Sequence, residues 1–132
     1  MKIIEIHGQS GHSEIAVGET LKNLKNYVNK KNTIIITDQN VNRLYREQFP
    51  AWPVIEIGTG EKIKTLKTVE FIFEKLLELE ADRSSCIVGI GGGIVCDITG
   101  FAASTYMRGL DFGFVSSTLL SQVDAGVGGK NG

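Results

Sequence analysis

The stretch CIVGIGGGIVCD, residues 86–97, decides the fold. Its first five residues are apolar and rich in β-branched side chains, which is typical of a short strand buried on both faces of a parallel sheet. Three glycines follow, and the small and apolar residues from 95 to 106 predict a helix. The stretch therefore predicts a strand that turns at glycines into a helix, the repeating step of α/β proteins.

Strand and helix signals alternate on both sides of this stretch. TIIIT at 33–37, VIEI at 54–57 and the segment 112–116 predict further strands. The alternation predicts an α/β fold with a Rossmann-like, mostly parallel sheet, helices on both faces, and ligands at the carboxyl ends of the strands. The helices that complete it are predicted at 20–30, 41–48, 62–81 and 118–125.

A small strand pair is predicted ahead of this sheet. Residues 2–7 and 13–17 alternate between apolar and polar side chains, and Gln-Ser-Gly separates them as a turn signal. The last residues, AGVGGKNG at 125–132, form a glycine-rich loop with no further element after it. We therefore expect the chain to be the front part of a longer protein.

Composition narrows the class of protein. The 132 residues are 42% hydrophobic and 22% charged, enough for one core, so we expect a single domain over 1–132. The net charge of −1 offers no broad basic field for nucleic acid or for an anionic membrane. Charged and polar residues interrupt the first apolar run, and no apolar stretch reaches membrane-spanning length, so a cytoplasmic protein is expected.

Cysteine and histidine are too few for a metal centre. Cys86 and Cys96 have no CxxC spacing, which predicts two reduced residues in or near the core. His7 and His12 lie in a polar turn region without a matching acidic cluster, so no metal site is expected within this chain.

The glycines do not complete a standard nucleotide motif. GxGxxG fails at Cys96, and Asp111, the acid at about the right distance, begins a strand rather than ending one. A P-loop at the end of the chain would require glycine at Asp124 and a hydroxyl residue at Asn131. A more general anion site remains, built from the N–H groups of residues 92–94, and a plain tight turn explains the glycines equally well.

A family resemblance decides between these two interpretations. GGGIVCDITGFAASTYMRG at 91–109 and STLLSQVDAGVGGKNG at 117–132 resemble the 3-dehydroquinate synthase family, whose members carry GGGxxGD, TYxRG, PTTLL and VDxSVGGK in this order. TDQNV at 37–41 and GEKIK at 60–64 resemble its TDxNV and GExxK. The resemblance covers essentially the whole chain as the amino-terminal part of a family member. The carboxyl-terminal helical domain of such enzymes is absent from it.

The resemblance implies an activity. Enzymes of this family bind NAD and a divalent metal, zinc or cobalt, and convert 3-deoxy-arabino-heptulosonate 7-phosphate to 3-dehydroquinate and phosphate in the shikimate pathway. One alcohol is transiently oxidised, phosphate leaves, the ketone is reduced again, and the opened ring closes, so that NAD is restored within one turnover. The implied protein is a lyase and a homodimer. The 132-residue chain, lacking the metal ligands, is expected to be inactive alone.

The resemblance also implies roles for individual residues. Arg108 would reach the sugar phosphate of the neighbouring subunit, and Asp124 and Lys130 would hold the sugar-phosphate substrate. The NAD contacts implied are Asp38, Asn40, Glu61, Lys64, Gly92, Gly93, Ile94, Asp97, Ser117, Thr118 and Leu120.

The residues by themselves allow other interpretations of these positions. Glu61 and Lys64 have the spacing of a solvated i, i+3 ion pair. Asp97 could serve only as a favourable charge on the first turn of its helix, and Arg108 could be an exposed arginine at a helix end.

Three departures from the family pattern leave the substrate open. Cys96 replaces a glycine, Ser116-Ser117 replaces Pro-Thr, and Asn131 replaces a common threonine. Another sugar-phosphate cyclase, such as a 2-deoxy-scyllo-inosose synthase, and a stand-alone nucleotide-binding module are the alternatives.

Overall fold

Two sheets are present in the computed structural model, which describes residues 2–8, 11–17, 21–28 and 32–116, the first two ranges as backbone only. Strands β1 (Lys2–Gly8) and β2 (Gly11–Val17) pair antiparallel, which confirms the predicted strand pair. The second sheet is parallel, with its strands in the order β4-β3-β5-β6. They are β3 (Thr33–Asp38), β4 (Val54–Ile57), β5 (Cys86–Gly91) and β6 (Asp111–Ser116).

A helix joins each strand of the parallel sheet to the next one in sequence. The three α-helices are α1 (Gln39–Tyr45), α2 (Leu66–Glu78) and α3 (Gly93–Thr105). None of the described helices combines the length and the apolar character needed to cross a bilayer. The 3₁₀ segments are Leu21–Asn26, Arg46–Gln48, Glu61–Ile63 and Tyr106–Arg108.

The parallel sheet is covered on both faces, as predicted. Alternate side chains of a strand point to opposite faces, so Ile34 and Ile36 pack in one core cluster with α2 and α3, whereas Ile35 packs in another. The second cluster contains Val41 of α1 and Leu24 of the first 3₁₀ segment. Because both faces are covered, all residues of β5 and the first five residues of β3 are buried.

The strand order creates a switch point at the centre of the sheet. From β3 the chain moves outward to β4, and it then returns past β3 to form β5 and β6 on the other side. In such sheets a crevice opens outside the carboxyl ends of the two strands where the direction reverses, here β3 and β5. The hydroxyl of Thr37 donates to the carbonyl of Ile90 at 2.7 Å, which ties the two strands together beside this crevice.

The predicted helix boundaries need correction because side-chain caps move them. The helix predicted at 62–81 begins at Leu66, since Thr65 is extended and its hydroxyl accepts from the N–H of Thr68. The helix predicted at 41–48 begins earlier, at Gln39, because Asp38 caps it.

The α-helix predicted at 20–30 is wrong: the described residues Leu21–Asn26 form a 3₁₀ segment with one buried side chain, Leu24. The helix predicted at 118–125 lies outside the described residues.

Helix α2 ends in a Schellman motif that has glutamate where glycine is usual. The N–H of Ala81 bonds the carbonyl of Leu76 at 2.9 Å and the N–H of Glu80 bonds that of Leu77 at 3.1 Å. The motif requires a left-handed residue directly after the C-cap residue Leu79. This residue is Glu80, which has φ 58°. Glu80 is exposed, so its side chain gains no burial in exchange for this backbone conformation.

Glu80→Gly is therefore expected to raise the free energy of unfolding by about 0.5–1 kcal/mol, since glycine adopts a left-handed conformation without the steric penalty. Denaturant unfolding measures this change. Glu74→Gly is the matched control: the same replacement at an exposed site inside α2 is expected to lower stability by about 1 kcal/mol. A loss of stability for Glu80→Gly would contradict the assignment of the motif.

Candidate functional site

A cavity of about 210 Å³ lies where β3, β4 and β5 reach their carboxyl ends. Asp38 contributes one wall from the end of β3, and the loop after β4 contributes another. The glycine turn after β5 contributes the third wall, so the cavity occupies the switch-point crevice. Its lining residues are Asp38, Gly58, Thr59, Gly60, Gly92, Gly93, Ile94 and Val95.

The wall formed by α3 is suited to an anion. Gly92 is the extended N-cap residue, and no side chain caps this end of the helix. The bond from Cys96 N–H to Gly92 carbonyl, 3.0 Å, is the one that starts the helical ladder. The N–H groups of the three preceding residues, Gly93, Ile94 and Val95, therefore have no partner of the i→i−4 type, and they lie beside the cavity at the positive end of the helix dipole. A phosphate group is a suitable ligand for them.

Glycine at two walls lets a ligand approach the backbone closely. Gly92 and Gly93 place no side chain over the N–H groups of α3. On the opposite wall Gly60 has φ 87°, a left-handed conformation that turns the chain from β4 into the 3₁₀ segment before α2. The loop 58–60 was not among the predicted site residues, although its place after a parallel strand was a signal that could have revealed it.

Asp38 combines a structural bond with a position in the cavity. Its Oδ1 accepts from the N–H of Val41 at 2.8 Å, which caps α1 and fixes the carboxylate at the strand end. An ionised carboxylate has two acceptor oxygens, so it can also accept from a hydroxyl group of a ligand. Asn40, the predicted partner of Asp38, is exposed on the first turn of α1 and does not line the cavity.

Lys64 and Asp97 form an ion pair between the start of α2 and α3. Their Nζ and Oδ2 atoms are 2.9 Å apart, and the side chains are 26% and 12% exposed. The hydrogen bond to Asp97 is the main cause that raises the pKa of Lys64 above 10.5; burial opposes it, and the charges of Asp97 and Glu61 add to it. Lys64 is therefore an ammonium ion at neutral pH.

This pair corrects two interpretations of the sequence. Asp97 is the fifth residue of α3, beyond the first turn, so it does not act merely as a charge at the helix start. Lys64 forms its ion pair with Asp97 rather than with Glu61, so the solvated pair between Glu61 and Lys64 is not formed. Glu61 itself is exposed on the 3₁₀ segment. Lys64 also borders a second recess of about 170 Å³ between α2 and α3.

Cys96 is a packing residue. It is fully buried, and burial is the main cause that raises the pKa of its thiol to about 11, so the thiol is neutral and a poor nucleophile. Cys86 is also buried, which agrees with the prediction that both cysteines lie in or near the core. Helix α3 lies especially close to β5 at another position, where Thr99 faces Gly89.

Arg108 lies at the other end of α3 from the cavity. The helix has 13 residues and is therefore about 20 Å long. Arg108 follows it on an exposed 3₁₀ turn, so it cannot contact a ligand held in the cavity of its own chain.

Among the described residues no group of histidine, cysteine and acidic side chains could hold a metal ion. The remaining predicted site residues, Ser117, Thr118, Leu120, Asp124 and Lys130, lie outside the described part.

Comparison with known families agrees with this geometry. Residues 54–132 match the family model described as 3-dehydroquinate synthase N-terminal. The chain belongs to this family. The 3-dehydroquinate synthase of Pyrococcus furiosus is 43% identical over 119 residues, which cover 86% of this chain and 36% of that protein.

Two solved structures similar to this chain hold NAD⁺ and a divalent metal ion. A 2-deoxy-scyllo-inosose synthase complexed with carbaglucose-6-phosphate, NAD⁺ and Co²⁺ has a TM-score of 0.78 and 26% identity, over 94% of this chain and 38% of that one. The 2-epi-5-epi-valiolone synthase of Streptomyces hygroscopicus subsp. jinggangensis 5008, with NAD⁺ and Zn²⁺ bound, has a TM-score of 0.68 and 28% identity, over 76% and 31%. The chain thus spans less than half the length of each of these relatives.

Proposed function

We propose that residues 1–132 are the NAD-binding amino-terminal domain of a 3-dehydroquinate synthase. The complete enzyme would convert 3-deoxy-arabino-heptulosonate 7-phosphate to 3-dehydroquinate and phosphate, as an NAD-dependent lyase of aromatic amino-acid biosynthesis. The observation that carries the proposal is the cavity at the switch point, with the N–H groups of the uncapped first turn of α3 on one wall and Asp38 on another. Family membership and the 43% identity to a 3-dehydroquinate synthase support the same activity.

The residues around the cavity fit NAD by their chemistry. The N–H groups of residues 93–95 and the bare backbone of Gly92 suit the pyrophosphate, and Asp38, with Asn40 beside it, suits the hydroxyls of the adenosine ribose. Lys64 and Asp97 were predicted at opposite ends of the cofactor, but they are bonded to each other at 2.9 Å, so both would border the same part of it, whereas Glu61 would lie near the adenosine end. Both named neighbours hold NAD⁺, which supports this assignment. Ser117, Thr118 and Leu120 complete the proposed set.

The chain's own residues would bind and orient, while the hydride chemistry belongs to the cofactor. Bound NAD supplies a reversible oxidation of one substrate alcohol. Asp124 and Lys130 would hold the sugar phosphate against it. The divalent metal would be held by a carboxyl-terminal helical domain outside these 132 residues, and Co²⁺ and Zn²⁺ in the two neighbours support its presence in the complete enzyme.

A homodimer is part of the proposal. Arg108 is too far from its own cavity to serve the ligand there, and a guanidinium is well suited to phosphate. An arginine in this position can act on a phosphate held by a second subunit. The isolated chain is expected to lack turnover, because the proposed metal ligands lie in the proposed carboxyl-terminal domain and these residues span only 36% of the Pyrococcus furiosus enzyme.

Calorimetric titration of the chain with NAD tests the central step. We expect binding by the unmodified chain and a loss of at least about tenfold in affinity for Gly93→Val, because the new side chain covers the N–H groups of α3. Gly113→Val is the matched control: Gly113 lies on β6, and no atom of the described residues lies within 4 Å of an added Cβ, so NAD affinity should not change. Equal affinity of Gly93→Val and the unmodified chain would exclude the cavity as the cofactor site.

Substrate choice distinguishes the proposal from its alternative. The similarity to a 2-deoxy-scyllo-inosose synthase holding carbaglucose-6-phosphate favours a hexose phosphate as second candidate substrate. The complete enzyme, supplied with NAD and Zn²⁺ or Co²⁺, should release phosphate from 3-deoxy-arabino-heptulosonate 7-phosphate and not from glucose 6-phosphate. The reverse result would assign the chain to the alternative activity.

A further inference from the structure

The turn that carries Arg108 has an unusual backbone. Met107 has φ 46° and ψ 41°, Arg108 has φ 69°, and Gly109 follows with φ 112°. Two consecutive non-glycine residues in the left-handed region are rare, because Cβ then lies too close to neighbouring carbonyl oxygens. Such strain persists only where the surrounding structure imposes it, and it is concentrated at functional sites.

Buried residues on both sides impose this turn. Tyr106 and Leu110 are 6% and 5% exposed, and both belong to the core cluster under α2 and α3. The Tyr106 ring packs against Phe73, with 5.6 Å between centroids. The N–H of Gly109 bonds the Tyr106 carbonyl at 2.8 Å, and the N–H of Leu110 bonds the Ala103 carbonyl at 2.7 Å. With both ends fixed, the three residues between them must reverse direction within a short distance.

The turn presents its two non-glycine side chains to solvent. Met107 and Arg108 are both exposed although they lie between anchored neighbours. Glycine would adopt the same backbone without strain, but it would also allow several other conformations. A methionine at this position restricts the backbone to a small left-handed region and therefore restricts the direction in which Arg108 leaves the domain.

We propose that Met107 is a positioning residue: its strained backbone fixes Arg108 in the direction that meets a phosphate held by a second subunit. This inference rests on the proposed function, since that function supplies the phosphate. It assigns the role to the backbone conformation of Met107 and not to a contact of its thioether.

Steady-state kinetics of the complete enzyme test the inference with variants at this turn. Met107→Gly is expected to raise KM for the sugar phosphate about tenfold, since small misplacements of a positioning group cost up to about 100-fold in rate. KM for NAD should stay nearly unchanged, and the melting temperature should not fall, because glycine relieves the left-handed backbone. Met107→Asn should retain KM for the sugar phosphate, because asparagine tolerates the left-handed conformation. In an Arg108→Ala background, Met107→Gly should have no further effect on that KM.

Glu80→Gly is the control, because it relieves a left-handed residue on α2 without touching this turn. It should leave both KM values unchanged. If the unmodified enzyme is active and Met107→Gly has an unchanged KM, or if Met107→Asn loses as much as Met107→Gly, the inference is overturned while the proposed function stands. If the unmodified enzyme does not convert the sugar phosphate, the proposed function fails and the inference fails with it.

Discussion

Gly89→Ala is expected to lower the free energy of unfolding by about 3 kcal/mol, the upper end of what overpacking a core costs. An added Cβ at this position would lie 2.5 Å from Oγ1 and 2.9 Å from Cβ of Thr99. Both residues are buried between β5 and α3, and the hydroxyl of Thr99 has no partner in the described part of the chain. The helix would have to move away from the strand that leads into the glycine turn. Denaturant unfolding measures the loss.

Two variants separate this clash from a general effect of replacing glycine in a strand. Gly113→Ala, on the adjacent strand β6, adds a Cβ that meets no described residue within 4 Å, so the free energy of unfolding should change by less than about 0.5 kcal/mol. Thr99→Ala in the Gly89→Ala background should recover part of the loss, because it removes Oγ1 and Cγ2 but leaves the contact with Cβ. If Gly89→Ala were as stable as the unmodified chain, α3 would not be held against β5 at this point.

The architecture could be predicted from sequence because its signals are local. Apolar β-branched runs such as TIIIT identify the buried strands, and their alternation with helical segments determines a parallel sheet with helices on both faces. Helix ends were predicted less well because they depend on single side chains: Asp38 and Thr65 each accept a backbone N–H and thereby move a boundary. The importance of Gly89 could not be predicted, since it depends on which strand residue faces Thr99 after α3 has packed.

The candidate site was predictable where a motif is contiguous. Gly92, Gly93 and Ile94 line the cavity together with Asp38, as their positions at strand ends indicate. The bond between Lys64 and Asp97 was not predictable, because the two residues are 33 positions apart and lie on different elements. The family motifs name each of them separately and do not relate them. The roles of all these residues, and of those after residue 116, remain predictions.

Lys64→Glu is expected to have the largest effect on the candidate site. It places a second carboxylate against Asp97, whose side chain is 12% exposed, and removes the ammonium that lies 2.9 Å from it. Breaking a fully buried pair costs about 3–5 kcal/mol; because Lys64 is 26% exposed, a loss of about 2 kcal/mol in the free energy of unfolding is expected here. NAD affinity should fall by at least about tenfold, since two adjacent carboxylates repel the cofactor's phosphates.

Lys75→Glu is the matched control, because it reverses the charge of a lysine in the exposed pair Lys75–Glu78. The net charge of this variant equals that of the Lys64→Glu variant. It should change stability by less than about 1 kcal/mol and NAD affinity not at all. The exchanged pair, Lys64→Asp with Asp97→Lys, separates structure from binding: it restores opposite charges, so part of the stability should return, but a carboxylate at position 97 would still be missing. If the exchanged pair bound NAD as well as the unmodified chain does, Asp97 would be a structural partner of Lys64 and not a ligand of the cofactor.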